Sequence, residues 1–135
     1  MLIKKIVIAM AASSLALVGC SVQSSSEPVD IVGKWNIEKA MNVTTEKATN
    51  PTFINFDKDG SVNGNASVNL FKGTYKLNGD SLKISNIGMT MMMGPSMDVE
   101  DAITKALNTT ASVKAENGKV YVFNEANDTI MVLAK

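Results

Sequence analysis

Between Thr52 and Ile87 the chain reads TFINFDKDGSVNGNASVNLFKGTYKLNGDSLKISNI, and its apolar residues alternate with polar ones along four short runs. Ile54 and Phe56 belong to the first; Val62, Ala66 and Val68 to the second. Phe71, Tyr75 and Leu77 form the third, and Leu82 and Ile84 the fourth. A period of two turns one face of a strand into a core and the other into water. Asp59-Gly60 and Asn78-Gly79 interrupt the runs with residues that tolerate the positive φ of tight hairpin turns. The stretch therefore predicts a four-strand antiparallel meander, and with it a mainly β fold. It holds no obvious chemistry.

The flanking segments extend this pattern. Gly33-Lys34-Trp35-Asn36-Ile37 opens an earlier strand with Trp35 and Ile37 facing inward, and the threonine-rich Met41–Asn50 segment reads as a loop. Pro95-Ser96 followed by Asp98, Glu100 and Asp101 is a helix start, with the acids at the positive end of the helix dipole. Val99, Ile103, Ala106 and Leu107 recur at helical spacing and lay one apolar stripe on the sheet, which leaves the three acids as solvated carboxylates. Strands at 112–116 and 119–124 flank Asn117-Gly118, a strong two-residue hairpin signal, and 129–134 closes the chain. Tyr121 and Phe123 alternate with Val120 and Val122, the pattern of a strand buried on both faces. The total is about eight strands and one helix, the helix lying between strands five and six.

The N-terminus reads as a targeting segment. Lys4 and Lys5 precede an apolar stretch, Ile6–Leu17, that is too short for an ordinary spanning helix. Leu17-Val18-Gly19-Cys20 resembles the bacterial lipobox. That resemblance implies a signal peptide at 1–19 and acylation of Cys20 on sulfur and nitrogen by diacylglycerol and a fatty acid such as palmitate. Several acyl chains anchor stably where one would not. Ser21 after the cysteine, in place of aspartate, resembles outer-membrane lipoproteins, facing the periplasm. A plain secretory signal with a chance cysteine is the alternative. The serine-rich segment that completes residues 20–31 reads as a flexible tether, which leaves 32–135 as the folded domain.

Composition removes several functions. All 13 basic residues are lysines, matched by 13 acids, and there is no histidine and a single cysteine. Nucleic-acid binding, which favours arginine and a basic patch, is not expected. Zinc sites of His/Cys type, Ser-His-Asp triads and Cys-His dyads all lack parts, and no disulfide can form within the chain. Asn55, Asp57, Asp59 and Gly60 imitate the start of an EF-hand loop, yet Ala66 stands where the bidentate glutamate belongs, so a hairpin turn is the sounder reading. The distinctive residues are Met89, Met91, Met92, Met93 and Met97. Clustered thioethers suit a pliable apolar contact surface or core filling, and they also suit Cu(I). No metal or cofactor is expected on balance.

Trp35, Phe56, Asp59-Gly60, Gly64, Asn69, Gly73 with Tyr75, and Thr90 with Met92 stand in an order that resembles the META domain of HslJ-like bacterial envelope proteins. The resemblance implies a small, partly open antiparallel barrel with one helix, lipocalin-like in general shape. It also implies a role in envelope stress or secretion without established enzymatic activity. Where the family often carries paired cysteines, this chain has Val68 and Gly94. The expected function is thus a non-enzymatic lipoprotein that binds an envelope protein or an apolar ligand. A lipocalin-like carrier of a small hydrophobic molecule is the alternative.

Overall fold

A computed structural model describes residues 29–95 and 97–135. The leader, Cys20 and most of the tether lie outside the described residues, as does the expected cap Ser96. The strands are β1 (Gly33–Ala40), β2 (Val43–Thr44), β3 (Phe53–Phe56), β4 (Ser61–Asn65), β5 (Leu70–Asn78), β6 (Ser81–Met89), β7 (Ser112–Glu116), β8 (Lys119–Phe123) and β9 (Thr129–Ala134). One helix, α1 (Met97–Thr109), stands between β6 and β7. Every neighbouring pair is antiparallel, in the order β2-β1-β3-β4-β5-β6-β7-β8-β9, and β1 also pairs with β9. Eight strands close into a barrel, and β2 lies outside it on the end of β1, opposite Lys39 and Ala40.

The four-strand meander is β3 to β6, as the alternation implies. Each hairpin follows its turn chemistry. Gly60 takes φ 93° in the loop after Asp57, whose amide donates to Ser61 O at 2.9 Å. Asn117 and Gly118 take φ 54° and 80° between the paired Glu116 and Lys119, the two positive values a type I′ turn requires. At the third hairpin the loop is Gly79-Asp80, because Asn78 pairs with Ser81.

Several expectations need correction. The barrel is closed by β1 on β9 rather than partly open, and the second strand of the meander stops at Asn65, which leaves Ala66 and Val68 in the turn before β5. The Met41–Asn50 segment is not wholly irregular, since it holds β2 and a 3-10 turn at Thr45–Lys47. Counting β2, the helix follows the sixth strand in the chain rather than the fifth, although it still follows the fifth strand of the barrel. On β8, Val120 and Val122 are buried while Tyr121 and Phe123 are only half-buried, because the barrel wall has one packed face.

Side chains fill the interior. Ile54, Phe56, Val62, Phe71, Leu82, Val122 and Leu133 are all exposed by 3% or less. A barrel of about eight strands is just wide enough for its own side chains to occupy, and this one is so occupied. Helix α1 adds Val99, Ile103, Ala106 and Leu107 to the same core while touching β1, β2, β6 and β9. Trp35 is a core residue whose Nε1 donates to Ile31 O at 2.9 Å, so its one polar atom is satisfied. The thinnest point of the wall is between β6 and β7. Only Ser81 and Ser112 pair there, flanked by Leu82 N to Ala111 O at 3.0 Å and Val113 N to Asp80 O at 2.9 Å.

Tyr75 ties the first hairpin to β5. Its ring meets Phe56 edge-on at 5.0 Å between centroids, and its hydroxyl donates to Asp57 O at 2.6 Å. Desolvation, and then the nearby carboxylates of Asp57, Asp59 and Asp30, hold the phenol above its ordinary pKa. A folded-state value above the unfolded one favours the protonated form, so this contribution is complete below about pH 10 and lost as pH rises past it. Urea midpoints measured between about pH 8 and pH 11 should therefore fall less steeply in Tyr75→Phe than in the parent, at a cost of at most about 1 kcal/mol near pH 8.

Candidate contact surface at the methionine loop

The turn from Ala66 to Asn69, which joins β4 to β5, buries two polar residues, Ser67 and Asn69. Ala66 N donates to Asn69 O at 2.9 Å. Ser67 is fully buried at φ 113°, a backbone region that costs a residue other than glycine about 1–3 kcal/mol. Its neighbours hold it there: its amide donates to Asn65 Oδ1, its hydroxyl accepts from Thr49 N, and its carbonyl accepts from Asn50 Nδ2, each at 2.8 Å.

Beneath this turn lies Glu100, exposed by only 5%. It is not the solvated helix-start acid that the sequence suggests. Oε1 accepts from Asn69 N at 2.7 Å and Val68 N at 3.1 Å, and Oε2 accepts from Asn69 Nδ2 at 2.6 Å. Those three donors compensate for the removal of a carboxylate from water, which would otherwise be prohibitive. They also commit both carboxylate oxygens. A signal for this was present in the sequence: position 100 lies three and seven residues before Ile103 and Leu107, on the buried stripe.

Asn69 passes the constraint to the loop. Its Nδ2 also donates to Met92 O at 2.9 Å, while Oδ1 accepts from Met92 N and from Thr90 Oγ1, both at 2.7 Å. Two donors and two acceptor positions are thereby all used, the full capacity of an amide. Thr90 reinforces the joint, with Leu70 N donating to its hydroxyl and its own amide donating to Leu70 O, both at 3.1 Å. At the far side Thr49 Oγ1 donates to Pro95 O at 3.1 Å.

The result is a backbone pinned at Thr90, Met92 and Pro95, with apolar side chains directed outward. Met91 is 89% exposed, Met92 56% and Met93 85%, and Leu70 beside them is 54% exposed. Met89 and Met97 belong elsewhere. Met89 packs half-buried against the core, with its sulfur accepting from Thr104 Oγ1 at 3.5 Å, and Met97 is half-buried at the start of α1. A groove of about 530 Å³, walled by Phe53, Leu70, Phe71, Met89 and Thr90, opens beside the loop. A larger one, of about 750 Å³, lies at the Gly79-Asp80 turn, but its wall includes Asp30, Lys114 and Asn127 as well as apolar groups. The smaller groove also has Asn63 and Lys72 in its wall, but it carries the aromatic rings of Phe53 and Phe71 and is continuous through Leu70 and Thr90 with the exposed methionines. Elsewhere, the Asp57–Gly60 segment serves as a hairpin turn: Asn55 Nδ2 donates to Asp57 Oδ1, and Asp59 Oδ1 accepts from Ser61 N, both at 2.9 Å. Hydrogen bonding from the Ser61 side chain, and then from its amide, holds Asp59 below the ordinary carboxylate range. Among the described residues no cluster of three or more His, Cys, Asp or Glu side chains gathers around a metal-sized site, and no helix is long and apolar enough to cross a membrane.

A protein-family model, described as the META domain, matches residues 29–135. The chain belongs to the META domain family. No curated protein matches it significantly. Among solved structures it resembles a protein from Burkholderia xenovorans with a TM-score of 0.57 and 19% identity, covering 89% of this chain and 97% of that one. A DUF4847 family protein from Bacteroides vulgatus aligns with a TM-score of 0.55 and 16% identity over 76% of this chain and 91% of that one. At these identities the likeness is one of fold alone.

With the META framework established, Val68 and Gly94 acquire a definite relation. A Cβ built on Gly94 would lie 3.7 Å from the Cβ of Val68, but only 2.9 Å from its Cγ2. Glycine is thus needed opposite valine, and the pair closes the joint between the meander and the methionine loop by packing. The Cβ separation falls within the range that a disulfide spans, about 3.5–4.5 Å. Replacing both residues, Val68→Cys with Gly94→Cys, should give a protein that loses its free thiols on mild oxidation. The crosslinked form should resist unfolding by about 3 kcal/mol more than its reduced form in urea titration.

Proposed function

We propose that this protein is a non-enzymatic, lipid-anchored envelope protein that docks a protein partner through its methionine loop. The observation that carries this reading is the exposure of Met91, Met92 and Met93 on a backbone pinned at Met92 between them. Three consecutive apolar side chains held in water by a pinned backbone lose solvent-exposed area when a partner covers them, at about 25 cal/mol per Å². Their backbone order is already established before binding, so association costs less conformational entropy than it would for a loose loop. Unbranched thioether side chains adapt to varied apolar surfaces. The anchor follows from Cys20 and its lipobox-like context, and Ser21 favours the outer membrane. A role in envelope stress response or secretion accords with that location.

The apolar groove supports a second reading, in which a small hydrophobic ligand lies against Phe53, Leu70 and Phe71. Such a ligand would occupy the outer wall, since the barrel interior is filled by side chains. In-cell crosslinking of the native lipoprotein separates these readings. The parent should capture a defined partner, and a folded variant carrying Met91→Ser, Met92→Ser and Met93→Ser should lose at least about nine-tenths of that capture. Unchanged capture by the folded variant would defeat the docking reading, and lipid extraction that recovers a bound apolar molecule would favour the second.

A further inference from the structure

The methionines of the folded domain occupy contrasting environments. Met131 is 1% exposed in the core, and Met41 and Met89 pack half-buried against it. The sulfur of Met89 already accepts a hydrogen bond from Thr104. Met91 and Met93, at 89% and 85%, are almost as open as free amino-acid side chains. We propose that Met91 and Met93 form a reversible oxidation site, at which a peroxide switches off the contact surface. This rests on the docking reading of the loop.

The chemistry is a two-electron oxygen transfer. A thioether sulfur lone pair attacks one peroxide oxygen, the S–O bond forms and the O–O bond breaks. Sulfur is oxidised to the sulfoxide, and hydrogen peroxide, with its proton transferred to the departing hydroxide, is reduced to water. A dithiol working through methionine sulfoxide reductases reverses the step, yielding thioether, disulfide and water. Sulfur access sets the order of reaction, and only the loop residues offer open access with no core packing to break.

What the structure adds is separation of the switch from the fold. The loop is held by the backbone of Met92 on Asn69, by Thr90 on Leu70 and by Pro95 on Thr49, and none of these bonds uses a loop sulfur. The new oxygens would be solvated as they formed, so the native state loses nothing by carrying them. A partner face, by contrast, would have to desolvate two strongly polar sulfoxides, which is how oxidation disrupts methionine-rich contacts. The surface would change from apolar to polar while the barrel remained intact.

The test treats the full mature chain with graded hydrogen peroxide and reads oxygen addition at each methionine by peptide mass spectrometry, alongside near-ultraviolet circular dichroism. Met91 and Met93 should oxidise about ten-fold or more faster than Met131 with an unchanged spectrum, and the A- and B-type reductases with a dithiol should remove the added oxygens. Equal rates at Met131 and Met91, or loss of the native spectrum as the loop oxidises, would overturn the site. Crosslinking in cells then tests the switch. Peroxide should abolish capture by the parent, whereas a Met91→Leu, Met92→Leu, Met93→Leu variant should keep its capture. Capture by the parent that survives loop oxidation defeats the switch alone; absence of capture before oxidation defeats the docking reading and the switch with it.

Discussion

The Glu100 carboxylate against Asn69 is the contact on which the candidate contact surface of this molecule depends. A buried carboxylate is tolerated only where donors replace its water, and here the turn entering β5 supplies three of them. The arrangement binds the β4–β5 turn to a stretch that is distant in sequence, the loop after β6 and the start of α1 that follows it. Its strength lies in saturation. Asn69 uses every amide hydrogen and both acceptor positions, so the group cannot rotate or substitute a partner without leaving something buried and unpaired.

Scaffold and surface are therefore distinct parts of one small domain. The barrel wall and its filled interior provide stiffness, and their hairpins follow directly from turn residues at positive φ. The methionine loop contributes little to that core. It is attached to it by backbone hydrogen bonds, and its side chains remain free for an external contact. Val68 packed over Gly94 closes the remaining gap, so the joint is held by shape and hydrogen bonding.

Much of the scaffold was legible in the sequence because it obeys local rules. Alternation marked β3 to β6, Asn117-Gly118 marked the last hairpin, and a stripe at Val99, Ile103 and Leu107 marked the helix. The candidate contact surface was legible only in part. The methionine cluster stood out by composition, yet its division into exposed Met91–Met93 and half-buried Met89 and Met97 depends on pairing between distant strands. Glu100 was misjudged because helix-start acids usually face water, and the donors that bury this one come from residues 68 and 69. Ser67 gave no local sign of its strained φ, and the two-residue β2 is too short for periodicity to reveal.

Asn69, held by Glu100, fixes the backbone of the exposed loop. Hydrogen exchange at the Met92 amide tests this most directly, because that amide sits beneath one of the more exposed side chains of the protein yet donates to Asn69 Oδ1 at 2.7 Å. The expected result is protection of about 100-fold or more in the parent, lost in Asn69→Ala while core-strand amides such as that of Ile54 keep theirs. A Met92 amide that exchanges freely in the parent, or one that stays protected after Asn69→Ala, would contradict the account.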